Sequence, residues 1–213
     1  MHLVKLLLLG IILSGCESNV QAPVEELKPQ YTLNHANNTY IVKEGDTLYA
    51  IAFLFDKNVE QIASINNINY PYSLRAGQLL TIGGKAQAQK YHHEAPVRGA
   101  WTWPTIAHQI EYIGKGANIF GSYGQAVYAA RAGTVAYAGH GLPGYGKLIL
   151  IKHDKNYLTA YAFNANILVH EGQEVSSGQK IATMGYLSSH KPGLHFEIRY
   201  RGQAINPKRF LNG

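Results

Sequence analysis

KPGLHFEIR, Lys191 to Arg199, carries the plainest structural signal in the chain. From Leu194 to Tyr200 apolar and polar residues alternate with period two, which predicts a half-buried strand with His195, Glu197 and Arg199 on one face. A metal site on that face would take a second histidine two residues upstream. Position 193 is glycine, so the strand keeps a single imidazole where a metal centre needs companions.

The same kind of pattern extends upstream from this strand. Short apolar runs punctuated by glycine follow Trp101-Thr102-Trp103-Pro104: Ala126 to Ala130, Gly133 to Gly139, Lys147 to His153, Tyr157 to Phe163 and Lys180 to Met184. Their close turn spacing and lack of helical periodicity predict an antiparallel all-β domain over residues 101–213. Residues 40–83 read differently. Tyr40-Ile41-Val42 is a short strand, and Gly45-Asp46-Thr47 is a turn that can cap a helix through Leu48, Ile51, Ala52 and Phe55. Asn58 is a second N-cap, with Gln61 three residues on, ahead of a helical face of Val59, Ile62, Ala63 and Asn66. A loop at Asn69 to Tyr72 leads to the strand Leu79 to Ile82. The order strand, helix, helix, strand makes a small α+β unit close to the lower size limit for independent folding.

With 213 residues, 46% of them hydrophobic, the chain has material for these two modules. Residues 16–39 and 84–100 lack periodicity and read as linkers, the second carrying His92-His93 as solvated residues. The net charge of +6 suits an anionic neighbourhood such as wall polymer, lipid headgroups or nucleic acid. The N-terminus chooses among these. Met1 to Lys5 is basic and Leu6 to Leu13 is apolar, too short for the roughly 20 residues of a membrane span, so residues 1–15 read as an export signal. Leu13-Ser14-Gly15-Cys16 resembles a bacterial lipobox, which implies lipidation at Cys16 and a membrane anchor. Cys16 is the only cysteine, which excludes an internal disulfide. Glu17 after it, in place of aspartate, points in such lipoproteins to the outer membrane, facing the periplasm. No nucleic-acid partner is expected.

YIVKEGDTLYAIA, the N-x-N element at Asn67 to Asn69, and LRAGQLLTI resemble a LysM domain. That resemblance implies a glycan groove for peptidoglycan strands formed by Gly45, Asp46, Thr47 and Leu48 on one side and Ile68, Asn69 and Tyr70 on the other. GQAVYAARAGTVAYAG, GYGKLILIKHD, YLTAYA, EGQEVSSGQKIATMG and LHFEIR resemble the LytM, or lysostaphin-like, zinc endopeptidase domain.

Active members of that family hold zinc with an H-x-x-x-D motif and the second histidine of H-x-H, and take general bases from the first histidine of H-x-H and the end of a Tyr-Ala-His strand. The matching positions here are Gly114, Asn118, Phe163 and Gly193, with His195 remaining. A catalytic zinc needs about three protein ligands and an open position, so neither zinc nor another cofactor is expected. His140, His153, His170 and His190 read as structural or solvated residues, with only His190 near enough in sequence to swing toward His195. Because Phe163 shares strand parity with Tyr161 and Thr159, it is expected to enter the groove alongside Tyr161. The emptied groove of Gly114, Asn118, Tyr161, Phe163, Gly193, His195, Glu197 and Arg199 then becomes a partner surface.

The order lipobox, LysM, degenerate LytM, with GQKIATMG and LHFEIRY, resembles the NlpD-type murein hydrolase activators. The family implies binding and activation of a periplasmic N-acetylmuramoyl-L-alanine amidase at the division septum. The alternatives are a zinc endopeptidase with rebuilt ligands and a purely structural tether.

Overall fold

A computed structural model describes residues 38–83, 101–114 and 116–211. Cys16, the export segment and His92-His93 lie outside the described residues.

The first unit is β1 (Thr39–Ile41), α1 (Leu48–Leu54), α2 (Val59–Ile65) and β2 (Leu79–Thr81), with β1 and β2 antiparallel through Tyr40 opposite Leu80. Both helix starts are set by the residues expected. Thr47 Oγ1 accepts from Ala50 N at 3.1 Å, and Asn58 Oδ1 accepts from Gln61 N at 2.9 Å. Asn66, just past α2, ties the helix to the sheet. Its Nδ2 donates to Thr81 O at 2.7 Å and its Oδ1 accepts from Thr81 N at 2.8 Å, as a neighbouring strand would. Tyr40, Leu48, Ile51, Val59, Ile62 and Leu80 form the core between the layers.

The second unit is all β. Its strands are β3 (Gln109–Ile113), β4 (Gly116–Phe120), β5 (Ala126–Tyr128), β6 (Gly133–Gly139), β7 (Lys147–Lys152), β8 (Tyr157–Ile167), β9 (Glu174–Val175), β10 (Lys180–Ser188), β11 (Lys191–Tyr200) and β12 (Gln203–Ile205). They form one antiparallel sheet in the order β3-β4-β11-β10-β8-β7-β6-β9, with β12 on β11, β5 on β10, and a further pairing of β11 with β8. One face buries the main core: Trp101, Ile119, Ile149, Ile151, Tyr161, Ile181, Leu194, Phe196 and Ile198.

Part of the opposite face, over β6 to β8, is covered by the first unit. Ala50 and Phe53 of α1 pack with Tyr137, Leu142, Leu148, Leu150, Ala160 and Ala162. This explains α1, whose residues Leu48, Ala50, Ile51, Ala52 and Phe53 are all buried in only seven residues. One side faces the LysM-like core and the other faces the sheet, as an all-round apolar helix requires. It also explains why β7, LILI in the middle, is buried on both faces.

Two irregularities redirect side chains. Between Val135 and Tyr137 the β6–β7 register shifts, so these residues, alike in parity, lie in different cores. In β8, Ile149 pairs with Tyr161 while Lys147 pairs with Asn164, one extra residue on β8, and Phe163 takes φ +62°. Such a bulge reverses the face presented beyond it. Phe163 therefore packs with the α1-facing cluster, whereas Tyr161 stays in the opposite core.

Candidate functional site

The expected face of β11 exists, but it is divided. His195 pairs across the sheet with Asn118 of β4 and Ala162 of β8. Its Nδ1 lies 2.7 Å from Asn118 Oδ1 and its Nε2 lies 3.1 Å from Glu197 Oε1. Both ring nitrogens are thus engaged by oxygen atoms, and no ring lone pair is left for a metal. Arg199 Nε donates to Glu197 Oε2 at 2.7 Å, and its Nη1 donates to Phe53 O at 2.7 Å and to Asp56 Oδ1 at 2.8 Å. The guanidinium also lies 3.8 Å from the Phe53 ring centroid, within cation–π range. Burial pushes the Glu197 carboxyl up, but its bonds to His195 and Arg199 and their charge outweigh this and hold it down to about 2. Glu197 and Arg199, only 7% and 4% exposed, therefore close the seam between the units.

The remaining groove positions are distributed around this seam. Gly114 is exposed in the β3–β4 turn with φ +57°. Gly193 is buried beside Leu187, whose side chain fills the space a Cβ would enter. Phe163 is half-buried beside Gly146. Tyr161 does not line the groove. It is wholly buried, receives the Ala130 N–H at 2.8 Å and sits 3.0 Å from Thr159 Oγ1, because the β8 bulge separates its face from that of Phe163.

A zinc ion does not fit this donor set. Gly114 has no side chain, Phe163 no lone pair and Asn118 no charge, and His195 is committed to Asn118 and Glu197. Among the described residues no three His, Cys, Asp or Glu side chains converge on a metal-sized site. His140, His170 and His190 are exposed, the last at the β10–β11 turn. His153 is structural. Its Nδ1 faces Ala132 O and its Nε2 faces Thr159 Oγ1, both at 2.8 Å, and burial lowers its pKa to about 4.

The expected glycan residues also separate. Asp46, Thr47, Leu48 and Tyr70 line a cleft of about 370 Å³. Ile68 and Asn69 line a neighbouring depression with Asn67 and Arg75, on the far side of Ser73 and Leu74. Gly45 borders neither among the lining residues, and its φ of +80° gives the turn its shape. Asp46 is a turn residue, accepting from Lys43 N at 2.8 Å and from Tyr40 OH at 2.7 Å. Sequence reasoning missed Tyr49, Tyr72, Lys152 and Glu171, which complete the first cleft. Its available signal was the apolar run LYAIAFLF, which has more faces to bury than one small unit can cover.

The two units correspond to known families: residues 40–83 match the LysM domain and residues 112–207 match Peptidase family M23. The class is thus a LysM unit joined to an M23-type sheet. Over 98% of its length the chain is 38% identical to "Uncharacterized lipoprotein YgeR" of Escherichia coli (strain K12), covering 92% of that protein. It is 35% identical to "Murein hydrolase activator NlpD" of Salmonella dublin over 86% of this chain and 70% of that protein. It is 36% identical to "Outer membrane antigenic lipoprotein B" of Histophilus somni over 81% of this chain and 66% of that protein. The chain belongs to the NlpD family of lipoproteins and murein hydrolase activators.

Proposed function

We propose that this chain is a non-catalytic activator of a periplasmic N-acetylmuramoyl-L-alanine amidase in septal peptidoglycan splitting, held at the outer membrane through Cys16 and on glycan strands through its LysM unit. The observation that carries this reading is the donor set around His195. The sheet of a zinc peptidase is kept while the ligand positions hold Gly114 and Asn118, and both nitrogens of His195 are turned to Asn118 and Glu197. Without a metal to lower the pKa of water, and without a histidine at 163 or 193 to act as base, peptide hydrolysis at neutral pH has no nucleophile. The relative named as a murein hydrolase activator supports action through contact.

The contact surface is narrower than the whole groove, since Glu197 and Arg199 are closed off by α1. What stays accessible is a strip from Phe163 past His195 and Asn118 to the edge strand β3. By cross-strand pairing, Glu111 and Ile113 stand there on the His195 face. Ile113, half exposed, gives the strip an apolar end beside polar groups, the composition of a protein contact site. An activator must bind the active amidase state more tightly than the inhibited one, and this strip would supply that difference.

The test is peptidoglycan release by a cognate amidase with and without the protein, repeated with Ile113→Asp and Phe163→Asp. Stimulation by the wild type and its loss in Ile113→Asp is the expected result. Equal stimulation by all forms would remove the strip from the mechanism. Clearance of peptidoglycan by the protein alone would show an enzyme, and binding to sacculi with no stimulation would show a tether.

A further inference from the structure

The cleft lined by Asp46, Thr47, Leu48 and Tyr70 does not end with the LysM unit. Its opposite wall is made by the sheet: Thr134 to Ala136 of β6, Lys152 at the end of β7, and Glu171-Gly172 before β9. One hydroxyl bridges the two walls. Thr47 Oγ1 accepts from Ala50 N to cap α1 and donates across the seam to Ala136 O at 3.2 Å, at the β6 residue where the register with β7 shifts. An aspartate would cap the helix equally well but could not donate. On the floor, Tyr49, Tyr70 and Tyr72 pack edge to face, Tyr49 with Tyr72 at 5.9 Å and Tyr70 with Tyr72 at 5.7 Å between centroids. The Lys152 ammonium from the other unit lies 5.7 Å from the ring centroids of both Tyr49 and Tyr70.

We infer that the cleft is a composite site for a carboxylate-bearing amino-sugar glycan, with the tyrosines and LysM loops taking sugar rings and acetamido groups and Lys152 of the M23-type sheet taking a carboxylate. The inference rests on the LysM unit binding glycan, as proposed above, and adds the chemistry of the second wall. A neutral glycan needs aromatic faces and backbone amides, which the LysM side supplies. A cation poised over the same tyrosines can donate to a neutral sugar hydroxyl, but it binds an acidic substituent more strongly, because there both partners of the hydrogen bond are charged. Burial works against the Lys152 charge, but the phenol groups of Tyr49, Tyr70 and Tyr72 outweigh it and hold its pKa above the ordinary lysine value, so the ammonium persists at neutral pH. Tyr70, 76% exposed, leaves the cleft open to an entering polymer.

The test compares two probes with the full chain, by calorimetry or fluorescence. One is a chitin oligosaccharide, N-acetylated and uncharged. The other is an oligosaccharide of alternating N-acetylglucosamine and N-acetylmuramic acid with its lactyl carboxylates free. Lys152→Met keeps the apolar stem over the rings and removes the charge. It should weaken the muramic probe about fivefold, the scale of a partly exposed ion pair, and change the chitin probe less than about twofold. The wild-type preference for the muramic probe should shrink as salt is raised. No change in the variant, or equal weakening of both probes, would overturn the composite site while leaving LysM binding intact. Failure of the wild type to bind either probe would instead overturn the glycan reading itself.

Discussion

Replacing Arg199 with methionine should be the most damaging single change at the seam between the two units. The guanidinium is 4% exposed and bonds to the Glu197 carboxylate, the Phe53 carbonyl and Asp56 within 2.8 Å. Methionine recovers part of the packing over Phe53 but leaves the Glu197 charge, itself 7% exposed, with only its 3.1 Å hydrogen bond to His195 Nε2. Breaking a buried pair from one side costs about 3–5 kcal/mol, most of it the stranded charge. That origin makes two further predictions. Adding Glu197→Gln to Arg199→Met should recover part of the loss, because the stranded charge is gone. Asp56→Asn should cost under about 1 kcal/mol, since the Asp56 side chain is 67% exposed and its charge remains solvated. Urea unfolding followed by tryptophan fluorescence would measure all three, because Trp101 and Trp103 are the only tryptophans and both belong to the sheet unit. A cost below about 1 kcal/mol for Arg199→Met, or a double variant less stable than the single, would refute the stranded-charge account.

His153 sets an acid limit. Its folded pKa of about 4 lies below the ordinary 6.5, so the fold accepts the neutral ring and stability is full above about pH 6.5. It then falls by about 3 kcal/mol as the pH drops to 4, because the unfolded chain takes up the proton first. Urea midpoints at pH 7 and 4.5 should differ accordingly, and His153→Gln should flatten the slope. Gly202, at φ +82°, has no room for a Cβ against the Lys57 carbonyl, whereas Gly178, at φ +75°, faces open space. Gly202→Ala should therefore lower the melting temperature more than Gly178→Ala, the second reporting backbone strain alone. Equilibration with zinc followed by desalting should leave far less than one ion per chain by elemental analysis, and a stoichiometric ion would contradict the misfit of zinc at His195.

Local signals in the sequence were strong where a residue acts on its own backbone. Thr47 and Asn58 cap the helices, and the alternation after Gly193 builds β11 with His195, Glu197 and Arg199 on one face. That positions 114, 118, 163 and 193 hold no residue of a usual zinc-ligating type needs only the sequence. What could not be read was the relation of distant segments. Counting parity placed Tyr161 beside Phe163, but one extra residue in β8 sends them to opposite faces, and a bulge becomes visible only when the partner strand is known. Arg199 and Glu197 looked like a groove wall because periodicity reports which side chains share a face, not what comes to cover it. Lys152 entered the cleft beside Tyr70 for the same reason: it is 82 residues from Tyr70 in sequence and faces it only because α1 docks on the sheet.

Helix α1 is common property, with Leu48 and Ile51 serving one hydrophobic interior and Ala50 and Phe53 the other. A fragment starting at Trp101 would turn Tyr137, Leu142, Leu148 and Leu150 out to water and remove the oxygen ligands of Arg199 supplied by Phe53 and Asp56. Dissecting the protein at the connecting segment would therefore yield a sticky, altered remnant whose behaviour in any binding assay misreports the intact molecule. Exchanging the LysM unit for another module would bring the same exposure unless the newcomer carried its own greasy helix to lay across the sheet.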